Sequence, residues 1–131
     1  MDKLRLLILA VLCQSAIAGE DEKQDSVLGQ WHPLKAEYMI HSGGTAYSEP
    51  PTRTDRAISL YIVGQPARQL FDQIGPDTKE ACGQEQSDRE RRNKGVLCQY
   101  SARLDGPSDS HYRCWIGIDL RTGAGQVRTS C

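Results

Sequence analysis

Four cysteines, Cys82, Cys98, Cys114 and Cys131, stand 16, 16 and 17 residues apart and constrain the C-terminal half of this chain more than any other feature. Cross-links at that spacing would tie distant segments to one core, whereas a zinc site wants close pairs such as Cys-x-x-Cys. Redox compartment decides between thiols and disulfides, and the N-terminus speaks to compartment. Lys3 and Arg5 precede an almost wholly apolar run from Leu6 to Cys13, and Ala16-Ile17-Ala18 supplies the small residues that signal peptidase reads. Residues 1–18 are therefore expected to be an export signal cleaved after Ala18. The run is far short of the roughly 20 apolar residues that span a bilayer. Lipidation at Cys13 would want a small residue just before it, and Leu12 stands there, so a soluble mature chain is expected.

Removing residues 1–18 takes away one acidic and two basic groups of the 17 and 16 in the chain, leaving 16 against 14 and a charge of -2. It also leaves an even set of four cysteines, which in an exported chain reads as two disulfides. The near-zero charge excludes a nucleic-acid binder working through bulk positive charge. A mean hydropathy of -0.55 excludes a polytopic membrane protein. The single asparagine, Asn93, lies outside any glycosylation sequon. That composition suits a bacterial protein of the periplasm or the medium.

Residues 19–30 are polar and acidic and read as a flexible leader, with one folded domain over 31–131. Ala36 to His41 alternates as a strand should, with Ala36, Tyr38 and Ile40 on one side. Ser42 to Arg56, with Gly43-Gly44 and Pro50-Pro51, reads as a long irregular loop, a kind often used for binding. Ala57 to Val63 is the clearest strand, placing Ile58, Leu60 and Ile62 on one face. Pro66 opens a helix whose stripe is Ala67, Leu70, Phe71 and Ile74, and Gly75-Pro76 closes it. The charged stretch 83–95 has no apolar period and reads as an exposed loop. Val96 to Ala102 and Tyr112 to Leu120 are strands, and Gln126 to Ser130 reads as a last short strand folding back on the latter.

The order of elements predicts an α+β fold: an antiparallel sheet of four to five strands with one packed helix and two disulfides. If the last hairpin pairs residue 118 with 127, Cys114 faces Cys131 and Cys82 is left to join Cys98. That connectivity, 82–98 with 114–131, is the preferred one of three.

No catalytic constellation stands out. His32, His41 and His111 have no companion ligands at helical spacing, and His41-Ser42 has no nucleophile elbow around it. No metal and no cofactor is expected, and the chain is not read as an enzyme. The segment Ser42-Gly43-Gly44-Thr45-Ala46-Tyr47 resembles the Ser-Gly-x-x-Tyr loop of small exported bacterial lysozyme inhibitors. Here the spacing is one residue longer, and the companion Tyr-x-x-x-Thr-Lys-Gly motif is absent. The resemblance implies that Ser42 and Tyr47 enter the cleft of a target enzyme. With Glu49 and Arg53 on the same loop, the expectation is an inhibitor or immunity protein that binds an envelope hydrolase or a toxin. The alternatives are a small periplasmic hydrolase and an envelope-associated structural protein.

Overall fold

The structure, a computed structural model, describes residues 28–129 except Glu80 and Gln84. The expected signal peptide, most of the acidic leader and Cys131 lie outside the described residues. A compact unit begins at Pro33. Among the described residues it holds five strands and one α-helix: β1 (Glu37–His41), β2 (Ala57–Val63), α1 (Gln65–Gln73), β3 (Arg89–Asn93), β4 (Val96–Tyr100) and β5 (Tyr112–Asp119). All neighbours are antiparallel in the order β1-β2-β5-β4-β3, so the expected α+β architecture of one sheet and one helix is present.

Period-2 apolar rows put the main core cluster on one side of this sheet, while Ala57 and Leu97 are buried on the other. Ile62 on β2 stands opposite Cys114 on β5, which stands opposite Cys98 on β4. The stripe of α1 lies over that row, with Ala67 and Phe71 buried and Leu70 and Ile74 packed alongside. Pro66 sits in the first turn, where its missing N–H costs nothing. Phe71 meets Tyr112 edge-on at 5.3 Å between ring centroids.

Three expectations are corrected. The stretch 83–95 is not all loop, because Arg89–Asn93 is the edge strand β3, joined to β4 through Lys94-Gly95. Lys94 takes the left-handed backbone, φ 44°, that such a two-residue turn requires. Apolar period is missing because arginines cover the core here. Arg91 and Arg89 lie over the Phe71 ring at 4.3 and 5.0 Å, burying their stems while the charge finds partners. Arg91 Nη1 donates to the carbonyls of Phe71 and Ile74 at the C-terminal end of α1, and Asp77 accepts from both arginines. On the other face Glu90, only 4% exposed, accepts from the Cys82 amide and from Gln99.

The second correction concerns the C-terminal segment. Residues 126–129 form no strand; only Gly125 bridges to Ile118. The Gln126 amide donates to the Gly117 carbonyl and the Val127 amide to that of Lys94. The segment lies this close because glycines line its path. A Cβ at Gly117 would stand 2.1 Å from the Gln126 carbonyl oxygen, and one at Gly95 would stand 2.8 Å from the Gly125 Cα.

The third correction follows from register. Among the described residues the one disulfide between named partners is Cys98–Cys114, not two in the expected pairing of 82–98 with 114–131. The β4–β5 ladder sets these two cysteines directly opposite each other, with Cα atoms 4.1 Å apart. The flanking bonds from the Ser101 amide to the His111 carbonyl and from Gly117 to Gly95 make theirs a narrow, non-hydrogen-bonded pair. Cys82 is not a free thiol.

Candidate functional site

The loop between β1 and β2 is irregular, as its glycines and prolines predict, yet it is tied down along its length. It leaves the sheet through His41 and Ser42, both buried. His41 Nε2 lies 2.8 Å from Ser59 Oγ on the adjacent strand, and Nδ1 lies 3.2 Å from the Ser42 carbonyl. With Nδ1 as donor and Nε2 as acceptor, the ring satisfies both contacts inside the domain, so His41 is a buried anchor at the foot of the loop. Ser42 then exchanges main-chain bonds with Glu49, and its hydroxyl donates to the Pro50 carbonyl at 3.0 Å. Gly43 turns with φ 69°, a conformation suited to glycine.

A second brace comes from the other end of the chain. The Asp55 carboxylate accepts the Gly43 amide at 2.8 Å and pairs with the Arg128 guanidinium. Arg128 also donates to the Gly43 carbonyl, and its own carbonyl accepts the Thr45 amide. Thr45 and Thr129 join hydroxyls at 2.9 Å. The Gly43 amide first, then Arg128, holds the Asp55 carboxyl below the usual aspartate range. Thr52 closes the return limb by trading bonds with the Asp55 main chain.

Between these braces the chain makes one turn of 3-10 helix, Thr45–Tyr47, and Tyr47 stands 90% exposed. Glu49, Pro50, Pro51 and Arg53 are exposed beside it. Of the four residues singled out in the sequence, the structure places Tyr47, Glu49 and Arg53 on the outer surface of the loop. Ser42 is an internal strut. Asp55 and Arg128, which hold the loop, carried no local signal in sequence.

Next to this loop the sheet face opposite α1 presents Tyr61 and Trp115, ring centroids 5.2 Å apart. A hollow of about 100 Å³ lies between them and Thr45, Met39 and Ser59. A wider groove of about 380 Å³, walled by Pro33, Lys35, Glu37, Tyr61, Val63 and Pro66, continues along the sheet. His111 serves structure, its Nδ1 lying 2.8 Å from the Ser101 carbonyl and its ring stacked on Tyr100. Among the described residues no three His, Cys, Asp or Glu side chains converge to hold a metal ion, and no helix is long and apolar enough to cross a membrane.

Comparison with protein families, with characterised proteins and with solved structures finds no match to this chain.

Proposed function

We propose that this is an exported binding protein, an inhibitor or immunity protein that blocks a cell-envelope hydrolase or a toxin with the 42–56 loop. The observation that carries this reading is the contrast within the loop: Tyr47 is 90% exposed while the chain on both sides of it is hydrogen-bonded to the domain. An exposed aromatic on a pre-ordered loop binds without the entropic cost of ordering the chain, and tyrosine and arginine are frequent anchors of interfaces. Glu49 and Arg53 offer charges of both signs around it. Ser42 contributes by keeping Glu49 and Pro50 in place rather than by touching the partner.

The test is capture of partners from the native envelope by the oxidised, tagged protein, followed by affinity measurement on variants. Tyr47→Ala and Arg53→Glu should each weaken capture at least tenfold while leaving the thermal midpoint unchanged. Equal capture by both variants removes the loop from the binding surface. The hydrolase alternative has one motivating contact, that of His41 with Ser59 beside the small hollow. Reaction of Ser59 with an organophosphonate probe would favour it.

A further inference from the structure

The helix is too short for its sheet. Nine residues of α1 rise about 13.5 Å, whereas β2 and β5, seven and eight residues long, each extend roughly 23–26 Å. The core row Ile62–Cys114–Cys98 lies under the helix. Along the same face the ladder generates two further rows. Tyr38 on β1 pairs with Leu60, and Leu60 with Ile116; Ile40 pairs with Ile58, and Ile58 with Ile118. From β1 to β5 every side chain in these rows is aliphatic or aromatic. Ile116 packs at the border of the core, but Tyr38 is 70% exposed, Ile40 49% and Ile118 37%, with Leu120 beyond them at 43%.

We infer that a second copy of this chain packs on these rows, sheet against sheet, to form a weak symmetric dimer. Three features favour that occupant. The two rows carry no ionised group; the exposed Arg56, whose carbonyl accepts the Leu120 amide, lies beyond them at the margin, so the apolar rows of two identical faces meet without burying like charges. The depth also fits: a helix layer is about as thick as the roughly 10 Å between packed sheets. A second sheet therefore sits beside α1 rather than on top of it, the two copies staggered by half a sheet. Finally, the exposed parts of Tyr38, Ile40, Ile118 and Leu120 come to on the order of 400 Å². Two copies, with Ile58 and Leu60, would then bury about 1,000 Å², the lower limit for a specific interface. An interface at that lower limit is a weak, transient one.

Sedimentation equilibrium of the oxidised full chain from about 5 µM to 1 mM tests this. The weight-average mass should rise from the 14.6 kDa of the monomer toward twice that value. Tyr38→Lys and Ile40→Glu, at side chains already largely exposed, should each raise the dissociation constant more than tenfold with an unchanged circular dichroism spectrum. A mass that stays at the monomer value to 1 mM overturns the inference. So does association that both variants leave intact, because its contacts then lie elsewhere in the chain.

Discussion

Replacing both Cys98 and Cys114 by alanine removes the cross-link at the centre of the sheet, and its effect can be worked from the register. The bridge joins residues 16 apart on adjacent strands. In the chain-entropy account, opening a loop of that length frees the unfolded chain by about 3 kcal/mol at 25 °C. Both cysteines are fully buried under α1, so lost packing adds to that figure. For a domain of this size, about 3 kcal/mol corresponds to a fall of roughly 12–24 °C in the thermal midpoint. Linkage itself is read by digesting the unreduced protein with trypsin. The Cys98 peptide, residues 95–103, should appear joined to the Cys114 peptide, residues 114–121. If residues 95–103 are joined to 80–89 instead, and 114–121 to 129–131, the β4–β5 register is wrong. A midpoint within a few degrees of the parent would refute the energetic part alone.

Gly117→Ala places a Cβ on the Gln126 carbonyl and should lift the C-terminal segment from the sheet. Arg128 would then leave Asp55, so limited trypsin digestion should cut faster at both Arg128 and Arg53; unchanged cleavage at Arg53 would separate the loop from that segment. Asp55 and Asp77 both bind protons less tightly when folded, Asp55 through the Gly43 amide and Arg128, Asp77 through Arg89 and Arg91. Their contributions are complete above the unfolded aspartate value of about 3.9 and disappear as pH falls through the lower folded values. The urea midpoint should therefore drop as pH is lowered from about 5 toward 2.5, and the Asp55→Asn/Asp77→Asn double variant should show a shallower drop. A parallel acid profile in that variant would count against both ion pairs.

How much of the fold is legible in the sequence depends on who covers the core. β2 and β5 read as strands because branched aliphatics alternate along them, and α1 reads as a helix because Ala67, Leu70, Phe71 and Ile74 recur at its period. β3 contributes to the same core but does so with Arg89 and Arg91, whose aliphatic stems shield Phe71 while their charges bind Asp77 and the end of α1. Hydropathy scores those residues as solvent, so a strand is taken for a loop. The disulfide is misassigned for a related reason. The expected pairing rests on a hairpin between β5 and the C-terminal segment, but β5 lies between β2 and β4, and their registers fix its partners.

The 42–56 loop divides along the same line. Its glycines and prolines mark it as irregular, and Tyr47, Glu49 and Arg53 are legible as its exposed side chains. What makes it a rigid platform is the pairing of Asp55 with Arg128, 73 residues away. That contact exists because the C-terminal segment can lie flat over Gly95 and Gly117, where any side chain would hold it off. Two glycines far from the loop in sequence thus help determine whether Tyr47 is offered on an ordered surface or on a loose one. A substitution that spares every loop residue, such as Gly117→Ala, should then loosen the surface on which Tyr47 stands.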